Sequence, residues 1–470
     1  MLKNWWPYVI IVLVLAAFLI AKFLFWPVIL LVAILAVILC FLYFEQALIL
    51  FAFTLPFEKT LSFDAGGVTL RFSHFLLVAL LIAWLIRSLM QKSLKIFWDQ
   101  SFILLLFYLL ISGLSLRGAP NFNRGLEIFI FNTFTFLGFW FLFQLFREKP
   151  ARFFNFLKTL LISAIVVGIF GLLQVGGDLI GAPIWLTGIG KGYAKGVLGF
   201  PRMCASFFEP LYFGSFIILV LPLVYLQIKT KNQLLSNKWL KILLLLLTLD
   251  LFLTFARSAY LAFAVELIIL VIISIRFFFK PMVLKIGAVF ILLAALFLFS
   301  FLNFPNIYPY KVQDALNHVV ETTDFSSFER INSGTLALEL YRENPISGVG
   351  LGQFGPYFAH FPFDTPDTGW QTANNETLEI LAENGILGFL PILLFYLYLI
   401  FRQIVGLLKS KTALAKKLNL GFLIALLGIG VQWQFFSTLY IIYIFAFFAL
   451  ALSYSYISIK EENEKDLARI

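Results

Sequence analysis

Apolar runs of about 17 to 22 residues recur along nearly the whole chain, the length a helix needs to cross roughly 30 Å of hydrocarbon at about 1.5 Å per residue. The pattern predicts spans at 7–24, 27–44, 45–57, 72–89, 101–116, 126–146, 157–179, 208–228, 240–256, 259–275, 284–302, 385–401, 418–436 and 438–457, the third of them short for a crossing. Between 303 and 384 this rhythm gives way to a stretch rich in Pro, Gly, Asn, Asp and Thr. The expected fold is an all-α polytopic membrane protein with about 12–14 transmembrane helices and one large extramembrane loop domain. Its parts are an N-terminal bundle over 1–302, the loop domain over 303–384, and C-terminal helices with a short tail over 385–470.

Composition closes off a soluble fold. Of 470 residues, 61% are hydrophobic and 13% charged, with a mean hydropathy of +0.95, against about 45–50% apolar and about 25% charged in a soluble domain. Lys3 precedes an apolar stretch with no small-residue cleavage site after it, so the N-terminus is expected to be an anchor that stays in the mature protein. Cys40 and Cys204 offer neither a disulfide framework nor a Cys/His metal cluster.

Charge adds sidedness. Five connections are densely basic: Arg87/Lys92/Lys95, Arg147/Lys149/Arg152/Lys158, Lys229/Lys231/Lys238/Lys241, Arg276/Lys280/Lys285 and Arg402/Lys409/Lys411/Lys416/Lys417. All fall on one side by counting crossings, and the positive-inside rule makes that side cytoplasmic. The net charge of +10 is therefore topological, and no nucleic-acid partner is expected, because the charge lies in short juxtamembrane loops. The longer connections 58–71, 117–125, 180–207 and 303–384 face the other way, and the last is acidic, with only Lys311, Arg330 and Arg342 as counter-charges.

Arginines on that outer side are the candidates for chemistry. Arg202 lies in Gly199-Phe200-Pro201-Arg202, and Arg257 in Thr254-Phe255-Ala256-Arg257-Ser258 at a tight turn. The positive-inside bias opposes arginine there, so each is either a ligand for an anion or a snorkelling or locally paired residue, Asp250 being a possible partner. Ser326-Ser327-Phe328-Glu329 reads as a capping box that puts Arg330 in the first turn of a helix ended by Asn344-Pro345. The helix dipole disfavours arginine at that end, leaving anion binding or a salt bridge as its reason. Gly348-Val349-Gly350-Leu351-Gly352 could bring backbone amides to a phosphate or could form plain turns. Asn374 or Asn375 is expected to cap a further helix with acids in its first turn.

These pieces together resemble the O-antigen ligase/polymerase superfamily, the Wzy-type membrane glycosyltransferases. The resemblance rests on Arg202 with Ser206-Phe207 and Pro210 to Gly214, on Thr254 to Ser258, on Arg330 through Glu343 to Gly352, and on Asn374-Asn375 with Leu378 to Gly388. It implies a GT-C-like enzyme of a bacterial inner (plasma) membrane, acting at the periplasm or cell exterior on a donor glycan carried by polyprenyl pyrophosphate, and needing no metal or other cofactor. The acceptor would be a glycan or a lipid core, and the protein's other partners membrane lipids.

Arg202, Arg257 and Arg330 would bind the departing pyrophosphate. Ligases of the family carry His-Asn before the Leu-Glu, and Asn374 stands here in the place of that histidine. A neutral amide accepts no proton, so Asn374 could orient the acceptor while Glu376, His360 or Glu209 served as base. The departure favours a polymerase of surface polysaccharide over a ligase. The rival expectation is a transporter or a flippase of lipid-linked oligosaccharide, suggested by the intramembrane acids Asp250 and Glu266.

Overall fold

The structure, a computed structural model, describes residues 26–65, 68–92, 94–189, 201–230, 233–273, 325–359 and 371–467. The expected spans at 7–24 and 284–302, the loop segments 303–324 and 360–370, and His360 with them, lie outside the described residues. In chain order the elements are α1 (Trp26–Leu42), α2 (Phe44–Thr54), β1 (Ser62–Ala65), β2 (Val68–Arg71), α3 (Phe72–Met90), α4 (Gln100–Ser115), α5 (Phe122–Glu148), α6 (Pro150–Leu179) and α7 (Ile184–Thr187). They continue as α8 (Pro210–Gln227), α9 (Asn237–Leu253), α10 (Arg257–Ile273), α11 (Phe325–Glu343), α12 (Phe354–Phe358), α13 (Glu376–Lys409), α14 (Ala413–Gln432) and α15 (Ile442–Leu467).

Local chemistry sets these boundaries. The side chains of Asp99, Asn121, Asn375 and Thr412 accept from amides of the first turns of α4, α5, α13 and α14, while Pro150 and Pro210 open α6 and α8 where a missing N–H is harmless. The helical expectation needs one amendment. β1 and β2 form a short antiparallel hairpin, Ser62 opposite Arg71, which delivers Arg71 to the N-cap of α3.

Among the described residues seven helices, α3, α5, α6, α8, α13, α14 and α15, are long and apolar enough to cross a membrane, or up to eight if a bent pair counts as one span. That is below the expected 12–14. Two expected spans lie outside the described residues, α10 reaches the edge of the described residues at Ile273, and α4 and α9 have 16 and 17 residues, short of roughly 30 Å at about 1.5 Å per residue. The 45–57 segment becomes α2, turned by 116° from Ile34–Leu42, a broken span or a re-entrant helix.

Within lipid, association rests on close packing and internal polar contacts more than on hydrophobic burial. α8 and the apolar part of α15 are each 89% buried and occupy the centre, whereas α13 is 33% buried and faces lipid along much of its length. Aromatic rings lock the centre, with Phe139 edge-on to Phe395 at 5.3 Å and Phe146 edge-on to Phe156 at 5.2 Å. α14 lies along α8, where a side chain in place of Gly421 would strike Leu223.

Polar contacts separate two ends of the bundle. At one, Lys149 and Arg152 each lie 3.1 Å from Glu45, Arg402 and Arg147 stack on Tyr456 at 3.6 and 4.4 Å, and Lys417 donates to Thr230 at 2.9 Å. Arg87 and Arg152 both lie over the Phe44 ring there. Four of the five basic connections thus converge, and the Arg276/Lys280/Lys285 connection is outside the described residues. At the other end, segments 58–71, 119–125, 201–209, 254–257, 344–354, 371–376 and 433–441 interlock.

Candidate functional site at the less basic end

Arg202 is the first fixed point. Its Nε donates to the carbonyl of Thr254 at 3.3 Å and its Nη2 to that of Phe255 at 3.2 Å, while the amide of Met203 donates to the carbonyl of Leu253 at 2.9 Å. Those acceptors are the C-terminal carbonyls of α9, which no intrahelical donor reaches. The first two arginine motifs are therefore one structure, because Arg257 opens α10 immediately after this turn. Asp250, weighed above as a partner for Arg257, instead lies wholly buried against Gly168 of α6, and among the described residues neither of its carboxylate oxygens has a hydrogen-bond partner.

Backbone strain marks both sides of that contact. Ala205 has φ +48° and Phe255 φ +49°, left-handed values that non-glycine residues rarely adopt. The Ala205 conformation is held by Gln174 on α6. Its Oε1 accepts from the amides of Cys204 at 3.2 Å and Ala205 at 2.9 Å, and its Nε2 donates to the Ala205 carbonyl at 3.3 Å. Ser206 donates to the Pro56 carbonyl, and the Lys59 amide donates to the Ser206 carbonyl at 2.8 Å. Arg71 joins here through its ring contact with Phe208 at 5.4 Å and a buried ion pair with Glu58 at 3.3 Å. Burial pushes the Glu58 carboxyl up, and the Arg71 charge opposes that push.

The third and fourth motifs also form one unit. α13 is broken at Gly385, whose φ of +59° and ψ of −164° suit glycine alone. Into the break fits the 345–350 segment. The amides of Val349 and Gly350 donate to the carbonyls of Ala382 and Glu383 at 2.9 Å each, and the Ile386 amide donates to the Pro345 carbonyl at 2.9 Å. Glu383 then turns its carboxylate onto the amides of Gly352 at 2.8 Å and Phe354 at 3.0 Å. Leu351 donates to Ser115 Oγ at 3.1 Å and Gly348 to the Asn344 carbonyl at 2.9 Å. The glycine series accordingly forms turns around an internal carboxylate, with every amide from Gly348 to Gly352 bonded within the protein.

Glu383 has two companions along the same helix. Glu376 accepts from the amides of Thr438 and, at 2.9 Å, Leu439, and Glu379 accepts from the Ala373 amide at 2.8 Å and from Ser437 Oγ at 2.6 Å. Glu376 and Glu379 thus both hold the 437–439 loop, Glu379 tying it to Ala373 as well, whereas Glu383 holds the glycine turns. Asn375 is the N-cap of α13, accepting from Leu378 at 3.0 Å, and Asn374 before it is left-handed with φ +52°. Arg330 lies half-buried on α11, which packs on α13. Because α11 is already helical at Phe325, Ser326 and Ser327 are helical residues, not its N-cap, and Arg330 lies beyond the first turn.

The 433–441 segment bridges the two units. The Glu376 amide donates to the Trp433 carbonyl at 2.8 Å, and across the segment Tyr440 meets Tyr212 of α8 hydroxyl to hydroxyl at 3.2 Å. Glu209, at the N-cap of α8, is half-buried within electrostatic reach of Arg202 and Tyr212. Burial raises its carboxyl above the ordinary range, and the Arg202 charge pulls it back in part.

Sequence reasoning missed Gln174, Arg71 and Arg124. The last is buried at the first turn of α5 and donates to the Gln371 carbonyl at 2.8 Å. Arg71 and Arg124 carried a usable signal, since both lie in outer connections where the argument applied to Arg202 and Arg257 holds equally. Gln174 carried none, being one amide in an apolar span. Among the described residues no three His, Cys, Asp or Glu side chains are grouped to hold a metal ion.

No curated protein matches the chain. Residues 242–393 match the family model described as O-antigen ligase, a stretch that takes in the Thr254–Ser258 turn, α11, the glycine turns and the break in α13. Arg202 lies outside the match but is hydrogen-bonded to it. Within that stretch, about a third of the chain, the protein is similar to the O-antigen ligases, a resemblance that extends the one read from its motifs.

Proposed function

We propose that this chain is a membrane glycosyltransferase that joins a polyprenyl-pyrophosphate-linked glycan to an acceptor hydroxyl at the extracytoplasmic face of a bacterial inner membrane, as a polymerase of surface polysaccharide. The observation that carries this is the grip of Arg202 on the Thr254–Phe255 turn. It unites two arginine motifs at the end of the bundle opposite the basic one, in a chain whose 242–393 segment matches O-antigen ligases. On this reading the described parts of 303–384, residues 325–359 and 371–384, belong to the loop domain of that face, between the 1–302 bundle and the 385–470 helices.

In the reaction the acceptor oxygen attacks the anomeric carbon of the donor sugar, the bond to pyrophosphate breaks, and the lipid pyrophosphate leaves with the electron pair. Arg202, Arg257 and Arg330 supply fixed positive charge to that leaving group without a metal ion, and a guanidinium already held by two carbonyls needs little reorganisation as charge develops. Asn374 orients the acceptor. Glu376, tied to the 438–439 amides, positions the Asn374 loop, and Glu209 beside Arg202 takes the acceptor proton.

The test is polymer formation by Arg330→Ala and Arg257→Ala enzymes in membranes. Both are expected to lose product while inserting normally, with Asn374→Ala retaining more. Equal activity in all three would defeat the assignment.

Transport is favoured by one observation. Asp250 and Glu266 are wholly buried, and their carboxylate oxygens have no hydrogen-bond partner among the described residues. Gradient-driven uptake of lipid-linked glycan or solute by proteoliposomes, without polymer, would establish that reading instead.

A further inference from the structure

The basic end of the bundle holds two guanidiniums on one ring. Arg402, late in α13, and Arg147, at the end of α5, lie 3.6 and 4.4 Å from the ring centre of Tyr456 on α15. Arg147 also lies 5.6 Å from the ring of Phe97. Both arginines are half-buried. A ring face attracts the cation but takes none of its in-plane N–H groups, which keep their capacity to grip an anion.

Among the described residues no carboxylate forms an ion pair with either arginine. Arg147 makes no hydrogen bond there, its Nε being buried without an acceptor, and Arg402 makes one, from its Nε to Ser455 Oγ at 3.3 Å. The neighbouring acids are engaged elsewhere. Asp99 accepts from the hydroxyls of Tyr456 at 2.7 Å and Tyr398 at 3.1 Å and from Ser101, Glu148 pairs with Arg152 at 2.7 Å, and Glu45 pairs with Lys149 and Arg152. Two like charges on one ring, partly withdrawn from water, repel each other, so an anion that meets both binds with gain.

The adjoining surface identifies the source of that anion. The segment Leu94-Lys95-Ile96-Phe97-Trp98 is fastened to α5 by Gln144, whose Oε1 accepts from the Phe97 amide at 2.7 Å and whose Nε2 donates to the Phe97 carbonyl at 3.0 Å. That puts Phe97 against Arg147 and leaves Ile96 and Trp98 58% and 68% exposed, with Lys95 exposed beside them. Tryptophan and aliphatic side chains exposed among lysines at the end of a membrane bundle suit the boundary between acyl chains and headgroups. A water-soluble anion would leave them uncovered.

We propose that Arg147 and Arg402 bind the phosphate of an anionic phospholipid at the basic end of the bundle, with Ile96 and Trp98 against its acyl chains. Such a lipid ties the ends of α5, α13 and α15 together, at the end opposite the residues proposed for transfer, and its binding needs no turnover.

The test uses the full chain in detergent, read by native mass spectrometry and thermal unfolding, with phosphatidylglycerol, phosphatidylcholine and inorganic phosphate as probes. Phosphatidylglycerol is expected to bind about tenfold or more tightly than phosphatidylcholine, to raise Tm, and to stay bound in excess inorganic phosphate. The Arg147→Gln/Arg402→Gln double variant is expected to lose that preference and that rise in Tm while still binding phosphatidylcholine. Equal binding of the two lipids, displacement by inorganic phosphate, or a preference that survives in the double variant overturns the proposal. If the double variant does not fold, the wild-type chain decides through fluorescence. Phosphatidylglycerol brominated on its acyl chains is expected to quench tryptophan more than brominated phosphatidylcholine, and the difference to vanish in Trp98→Phe. Equal quenching by the two lipids, or a difference that Trp98→Phe leaves intact, also overturns it.

Discussion

Arg202 Nη2 donates to the carbonyl of Phe255 at 3.2 Å, across 53 residues of chain, and Phe255 holds the left-handed conformation that turns its carbonyl toward the guanidinium. Lysine keeps the charge but cannot bond two carbonyls from one planar group. Arg202→Lys is therefore expected to lower polymer formation about 100-fold, the scale of losing one preorganised electrostatic donor. Its Tm should fall only modestly, and glycan chain length on gels together with a melting curve checks both.

Gln174 supports that contact from behind. Gln174→Leu leaves the amides of Cys204 and Ala205 and one carbonyl without partners, at about 1–3 kcal/mol for each buried group that stays unsatisfied. Relaxation of Ala205 out of its strained conformation would displace Arg202. The expected result is a kcat reduced about tenfold or more with donor KM little changed, whereas Gln174→Glu, which keeps the acceptor for both amides, should retain more activity. Steady-state kinetics on the two variants separates them.

At the break in α13, Gly385→Ala would drive a methyl group into the Ile346 carbonyl and force a conformation that only glycine accepts. Strain of about 1–3 kcal/mol or more is expected, with unpacking of the 345–352 turns. Glu383→Ala removes the acceptor from the Gly352 and Phe354 amides and should destabilise by about 3 kcal/mol, two buried amides being left without a partner. Thermal unfolding in detergent and protease sensitivity of the 344–359 segment measure both.

Glu209 sets a pH expectation. Burial holds its carboxyl above the ordinary value of about 4.5, so the ionised form, the one the proposed reaction needs as base, is populated only at correspondingly higher pH. Activity should therefore rise with pH through that raised value, and the acid limb of kcat/KM should sit above the usual carboxylate range. Glu209→Gln should lose that limb and about 10²- to 10⁴-fold in rate. A pH profile unchanged by the substitution would reject Glu209 as base.

Much of the architecture could be read from the chain because lipid imposes it. A run such as 210–227 must be helical, since no other backbone arrangement satisfies its own hydrogen bonds in hydrocarbon, and it forms α8. Asn375 was readable as a cap for α13 by residue type and spacing. The span at 45–57 was less readable, because hydropathy registers how apolar a segment is and not whether the chain turns by 116° partway through.

Sequence alone thus determined the class, the family motifs and the grouping of basic connections at one end, all properties that depend on local composition or on crossing parity. Only the tertiary structure decided which motifs join. Arg202 meets Thr254 and Phe255, Gln174 meets Ala205, and Glu383 meets Gly352, and each is a hydrogen bond between groups remote in sequence, set by how separate helices pack. The same holds for Glu376, which as a lone acid near a helix start could cap, catalyse or anchor. Its bonds to the amides of Thr438 and Leu439 are settled by the path of a loop 62 and 63 residues away, which no local pattern encodes.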